Sequence, residues 1–164
     1  MSTHCRNREL ELTFPAEKRV VHDVRVRFEE FLKPCHLLQD DLEWIKVAVS
    51  EACTNAICHG SPHGAASHIR VRCEVAEDRL IIEVCDEGGG FHPEEIALPP
   101  TDEWKPSGRG LVIMVTVMDS VEFVASHSGT CVRMTKLLRN IAQQPPVESP
   151  REAKSAHPRL QPAG

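Results

Sequence analysis

The chain has 164 residues, 41% of them hydrophobic and 26% charged, which is the composition of one globular domain large enough to bury a core. Its net charge of -5, with Lys and Arg scattered along the sequence, excludes a broad electrostatic footprint for nucleic acid. No apolar run reaches the roughly 18 residues of a membrane span, and the polar start Met1-Ser2-Thr3-His4-Cys5-Arg6 is unlike a signal peptide, so a cytoplasmic protein without membrane contact is expected. Residues 1–9 are expected to be a flexible N-terminus. The first element follows in Leu10, Leu12 and Phe14, which alternate with polar residues as in a strand with one buried face, ending at Pro15. Val20, Val21, Val24, Phe28, Phe31 and Leu32 recur at helical spacing until Pro34 stops the run. A second helix is expected to be capped by Asp40 or Asp41, to turn Leu42, Ile45, Val49, Ala52 and Ala56 toward the core, and to stop at Gly60.

Ile69, Val71, Cys73 and Val75 then alternate with charged residues, and after a polar turn the run 80–85 resumes the strand pattern, so a hairpin feeds the bend Asp86-Glu87-Gly88-Gly89-Gly90. Residues 91–107 carry four prolines without a period and read as a loop or mobile lid. Gly108 and Gly110 open an apolar helix over 111–118, and the segments 121–125 and 131–137 read as a closing hairpin. Residues 141–164 hold five prolines among polar residues and are expected to be a disordered tail. These elements imply an α+β domain over residues 10–140: a two-layer sandwich of a mixed β-sheet with helices on one face.

Seven cysteines, with no Cys-x-x-Cys pair, argue against a disulfide framework or a structural zinc site. Those inside helix or strand patterns, Cys53, Cys58, Cys73 and Cys85, are expected to act as small buried hydrophobes. Cys58, His59 and His63 do not form a ready metal trio, because the helix must end at Gly60-Ser61-Pro62 between them.

Three segments point to nucleotide chemistry. Glu51 and Asn55 stand one helical turn apart on the same side of the second helix. An amide oxygen is a hard ligand suited to Mg²⁺, and the neighbouring carboxylate can take a proton from an attacking hydroxyl near a terminal phosphate. From spacing alone, a solvated polar face is the commoner meaning of such a pair. Asp86, at a strand end, can accept a hydrogen bond from an exocyclic amino group, which favours adenine. Gly88, Gly89 and Gly90 remove side chains where a flat ring must approach backbone, though such a run is more often a flexible turn. Gly108-Arg109-Gly110 at a helix start exposes N–H groups to phosphate, and equally satisfies a helix entry needing unusual backbone angles.

At these residues the sequence resembles a known family. The stretch Ala48-Val49-Ser50-Glu51-Ala52-Cys53-Thr54-Asn55-Ala56-Ile57-Cys58-His59-Gly60 is similar to the N-box of the anti-sigma-factor serine/threonine-protein kinases, a bacterial branch of the GHKL, or histidine-kinase-like, ATPase superfamily. Asp86-Glu87-Gly88-Gly89-Gly90-Phe91 resembles its Asp-x-Gly-x-Gly box, and Gly108-Arg109-Gly110-Leu111-Val112-Ile113-Met114 with Met118-Asp119 its second glycine box. Gly129-Thr130, followed by Val132-Arg133-Met134-Thr135-Lys136, is similar to its final strand, so the resemblance covers roughly residues 10–138. It implies a Bergerat-type fold, ATP with Mg²⁺, and phosphorylation of a serine or threonine on a STAS-domain anti-sigma-factor antagonist, with a sigma factor as the rival partner in a partner-switching module that regulates transcription.

Carried over residue by residue, the resemblance makes Asn55 the Mg²⁺ ligand and Glu51 the general base. It turns Asp86 and Thr130 toward adenine and gives the shaping of the pocket to Gly88, Gly90, Gly108 and Gly110, beside Leu111, with Lys105 and Arg109 as phosphate candidates. It further implies a homodimer and points to the first helix, with Arg25 on its polar side, as the partner surface. The segment between Gly90 and Gly108 is short for the superfamily, and the proline-rich tail has no counterpart in it. Two other activities fit the same motifs: a nucleotide-sensing protein that sequesters a partner without kinase activity, and a stand-alone ATPase.

Overall fold

A computed structural model describes residues 7–76, 78–89, 109–126 and 129–138. The order of elements is β1 (Arg8–Pro15), α1 (Val20–Leu32), α2 (Gln39–His59), β2 (His68–Ala76), β3 (Arg79–Cys85), α3 (Arg109–Val117), β4 (Ser120–Ser126) and β5 (Gly129–Leu137). Each predicted element is present, with ends shifted by one to three residues; Arg8 and Glu9 of the expected N-terminal segment belong to β1. The predicted lid, the tail and residues 1–6 lie outside the described residues.

The five strands form one sheet in the order β1-β2-β3-β5-β4. The α+β architecture is as expected, but every pairing is antiparallel where a mixed sheet was expected. Helices α1 and α2 together carry the chain out and back, so β2 begins opposite the end of β1, with Pro15 paired to His68. The passage from β3 through α3 to β4 runs as a parallel crossover in direction. Strand β5 inserts between its two strands, however, so no parallel neighbours meet.

Alternation decides which face is covered. Ile69, Val71, Cys73 and Val75 of β2, Leu80, Ile82 and Val84 of β3, and Val132 and Met134 of β5 are buried together with Val24, Phe28 and Leu32 of α1, Ile45, Val49 and Ala52 of α2, and Met114 of α3. The opposite face carries charge. Glu11, Arg72, Glu83, Arg133 and Glu122 stand in one register row across all five strands, alternating in sign, and Arg133 donates to Glu83 at 2.6 and 2.8 Å. Cross-strand opposite charges of this kind suit a sheet face open to water.

Two details of α2 depart from expectation. Its N-cap is Leu38, with no side-chain hydrogen bond, and Asp40 and Asp41 lie inside the first turn. There they act on the positive end of the helix dipole and not as caps. The buried side of α2 also includes Lys46, whose ammonium donates to Glu29 of α1 and to Glu43 at 2.9 Å. Arg25 of α1 pairs with Glu43 at 3.7 Å, so it too is turned toward α2. At the other end of the fold, Lys136 Nζ donates to the Val117 carbonyl at 2.7 Å, closing the C-terminus of α3. Asp119 accepts the Leu137 N–H at 2.8 Å and fixes the turn into β4.

Candidate functional site

The last two and a half turns of α2 run between two anchoring points. At one, the half-buried Glu51 meets the start of α3: a Cβ added to Gly110 would lie 2.6 Å from Glu51 Oε2. At the other, nine residues on, Gly60 ends the helix against Asp86, and a Cβ there would lie 2.0 Å from Asp86 Oδ2. At about 1.5 Å of rise per residue these points are about 13 Å apart, with Asn55 between them, one turn after Glu51 on the same side of the helix.

Asp86 is held from several directions. Its N–H donates to the Thr130 carbonyl at 2.9 Å, extending the β3·β5 ladder by one residue. Its Oδ1 accepts the N–H of Gly88 at 2.9 Å and of Thr130 at 3.0 Å. With Oδ1 occupied by two backbone donors, Oδ2, beside Gly60, is the oxygen left for a further donor among the described residues. Three glycines make this possible. Gly60 and Gly88 touch, since a Cβ on Gly88 would come within 2.9 Å of the Gly60 Cα. Gly129 has φ +138° and lies so close to the Asp86 carbonyl that no side chain fits.

The predicted residues therefore fall into two groups. Glu51, Asn55 and Gly110, with Leu111 packed on the core behind, form one end, and Arg109 is exposed at the first position of α3. Asp86, Gly88 and Thr130 form the other, with Thr130 buried. Gly90, Lys105 and Gly108 lie outside the described residues. Gly60 and Gly129 were not singled out as site residues, because a helix stop and a hairpin turn already accounted for a glycine at each position. The sequence does carry a signal, since Gly60 closes the N-box stretch and Gly129 opens the final-strand motif.

The same region corrects the cysteine reading. Cys85 and Cys131 face each other across β3 and β5 and are joined as a disulfide, and both are half-buried. Cys58 is exposed on α2, whereas Cys53 and Cys73 are buried as expected. Burial pushes the Cys53 thiol up to about 12 and raises that of Cys73 as well, which keeps both protonated.

The donor set suits a nucleotide with Mg²⁺: an amide and a carboxylate at one end, an anchored carboxylate acceptor at the other, and glycines where side chains would collide with Asp86 and Glu51. Comparison with known proteins agrees on an ATPase domain. A family model described as a histidine kinase-like ATPase domain matches residues 14–136. Serine-protein kinase RsbW of Bacillus licheniformis is 37% identical over 137 residues, covering 79% of this chain and 85% of its own. The anti-sigma F factor of Oceanobacillus iheyensis is 35% identical over 135 residues, covering 79% and 92%. Among solved structures, the RsbU and RsbW domains of Rv1364c from Mycobacterium tuberculosis superpose with a TM-score of 0.61 at 21% identity, over 79% of this chain and 32% of that one. The catalytic domain of histidine kinase ThkA does so with a TM-score of 0.51 at 18% identity, over 79% and 95%. These two likenesses speak for the fold. With the family pattern spanning residues 14–136 and relatives above one-third identity aligned over most of both chains, the protein belongs to the histidine kinase-like ATPase domain family.

Proposed function

We propose that the protein is an ATP-binding anti-sigma factor and serine/threonine-protein kinase that phosphorylates a STAS-domain antagonist in a partner-switching module of the cytoplasm. The observation that carries this reading is the placement of Glu51 about 13 Å, and of Asn55 about 7.5 Å, along α2 from the contact of Gly60 with Asp86, a span that suits an extended nucleoside triphosphate. Asp86 Oδ2 accepts from the adenine amino group while Oδ1 keeps the bend in place, and Thr130 closes the same end. Asn55 contributes an amide oxygen to Mg²⁺, which offsets charge on the phosphates when bound. Gly110, near the start of α3, keeps a side chain away from Glu51, with N–H groups at a helix N-terminus to receive the phosphates and Arg109 nearby.

Glu51 takes the proton of the substrate hydroxyl as that oxygen attacks the terminal phosphorus. Binding alone needs no carboxylate at that place, which favours a kinase over a protein that only sequesters its partner. A sigma factor is the competing partner, and a homodimer, with α1 as a contact surface, completes the proposed assembly.

The test separates binding from transfer. Glu51→Ala is expected to lower phosphate transfer to the antagonist by at least about 100-fold, the usual worth of a general base, while ATP affinity by titration calorimetry stays within about three-fold. Asn55→Ala is expected to weaken ATP binding only when Mg²⁺ is present. Normal transfer by Glu51→Ala would remove the base assignment, and absence of transfer by the parent, with tight nucleotide binding, would leave a sequestering protein.

A further inference from the structure

On the outer face of the sheet, at its nucleotide end, lies a cavity of about 320 Å³ whose lining reaches Asp86, Gly129 and Thr130 at the end of the ladder. Its floor is one register row: Thr13 pairs with Arg70, Arg70 with Cys85, and Cys85 with Cys131. All four side chains point away from the helices, because their neighbours Ile69, Val84 and Val132 are the residues buried under them. Cys85 precedes Asp86 in the chain, and Cys131 follows Thr130. The two sulfurs thus stand back to back with the two residues proposed to meet adenine.

We infer that Cys85 and Cys131 are a reversible thiol–disulfide site, oxidised by low-molecular-weight disulfides, whose closed form strengthens nucleotide binding on the opposite face of the sheet. Three observations carry this. Both sulfurs line a cavity open to a small reagent, and both residues are half-buried, unlike Cys53 and Cys73. Arg70 stands directly opposite Cys85 on the same face, and a cation beside a thiol favours the reactive thiolate. Finally, Asp86 and Thr130 form the hydrogen-bonded pair at the end of this ladder, which makes Cys85 and Cys131 the neighbouring pair without mutual backbone bonds, whose side chains approach most closely.

The chemistry balances by two exchanges. The Cys85 thiolate attacks one sulfur of the reagent, forming a mixed disulfide and releasing one thiolate. The Cys131 thiolate then attacks the Cys85 sulfur, forming the Cys85–Cys131 bond and expelling the second. Two electrons pass from the protein sulfurs to the reagent, and the two protein protons end on the two released thiols.

The mechanical consequence follows from position. One residue beyond Cys85 the β3·β5 ladder ends and the chain bends, so a covalent link there limits fraying of the β3 end that carries Asp86 away from Thr130, which β4 also holds in register. Reduction leaves the Asp86 N–H bond to Thr130 and the two bonds to Oδ1 as the last ties. A site that must first be ordered binds less tightly than one already ordered.

This effect on nucleotide rests on the ATP reading, so the experiment carries a readout that needs no nucleotide. The full chain and Cys131→Ser are equilibrated in glutathione buffers from reducing to oxidising. The Cys85–Cys131 bond is mapped by alkylation and peptide mass, ATP affinity is titrated, and hydrogen exchange is followed at the Gly88 and Thr130 amides, both bonded to Asp86. The expected result is one two-electron transition at this pair, with ATP affinity at least about five-fold weaker and faster exchange at both amides in the reduced state, as for ordinary coupling between sites. Cys131→Ser, which keeps every other cysteine, is expected to show the reduced behaviour in all buffers. A pair that never closes, or never opens, overturns the inference, as does a parent indistinguishable from Cys131→Ser. If ATP binds in neither state, the ATP reading falls separately, and amide exchange alone decides whether the redox site controls the bend.

Discussion

At the scale of single residues, glycines set the geometry of Asp86, and two of them do so for different reasons. Gly60 has φ -100° and ψ 10°, a conformation open to alanine, but a methyl group there would meet the Asp86 carboxylate and, at 2.6 Å, its Cβ. Gly60→Ala is therefore expected to displace the Asp86 side chain with a small backbone shift and to cost about 1–2 kcal/mol of stability, less than Gly129→Ala. It pushes aside the carboxylate proposed to receive adenine, so ATP affinity is expected to fall at least about ten-fold, the worth of roughly one hydrogen bond to a charged group. Gly129→Ala meets both a positive φ and the Asp86 backbone, which cannot rotate away. That variant is expected to lose about 2–3 kcal/mol of stability by urea unfolding as well as affinity. Equal stability losses in the two variants would show that Gly60 is needed for folding and not for the site.

Elements carry the next level, and here a buried cation joins two helices. Lys46 of α2, 6% exposed, bridges Glu29 and Glu43, whose own side chains remain about half exposed. Lys46→Met keeps the volume and frees two carboxylates that can rehydrate, so it is expected to unfold within about 1.5 kcal/mol of the parent; Lys46→Ala leaves a cavity and costs about 2 kcal/mol more. Hydrogen bonds donated to Glu29 and then to Glu43 raise the Lys46 ammonium above its ordinary 10.5. Its stabilisation is thus complete below pH 10.5 and lost as pH climbs through the raised value. The bond from Lys46 lowers Glu43 below 4.5, so that contribution is complete above pH 4.5 and lost on acidification through the lowered value. The alkaline loss is expected to be smaller in Lys46→Met, and identical alkaline limbs in the two proteins would remove Lys46 from the balance.

Lys46 also marks the limit of what periodicity reveals. Among the described residues, apolar spacing located each α-helix and strand, since burial of one face leaves a direct trace in the residue order. It could not show a lysine turned inward, because the partners that make its burial tolerable lie on another helix or one turn away. Nor could it place β5 between β3 and β4, or bring Cys131 opposite Cys85, because strand order and register are set by contacts distant in sequence. The site was legible where a motif is local, as at Glu51 and Asn55, and incomplete where it depends on the meeting of Gly60, Gly88 and Gly129 around Asp86.

The whole molecule is organised so that one ligand can join its separate parts. The cleft residues come from α2, from the bend after β3, from the start of α3 and from β5, four pieces linked mainly through the core beneath them. A nucleotide touching all four binds the folded chain alone, and its affinity then appears as global stability. At about 100 times its dissociation constant, Mg²⁺–ATP is expected to add about 2.7 kcal/mol, or roughly 5–10 °C in Tm. Chelating the metal in the presence of ATP should reverse most of this in the parent and little in Asn55→Ala, whose amide ligand is gone. Asp86→Ala, by contrast, should be insensitive to ATP with or without metal, because the adenine end is lost first. Stabilisation by ATP that is the same before and after chelation would take Mg²⁺ out of the proposed site. Stabilisation that survives Asp86→Ala unchanged would move the nucleotide away from the bend altogether.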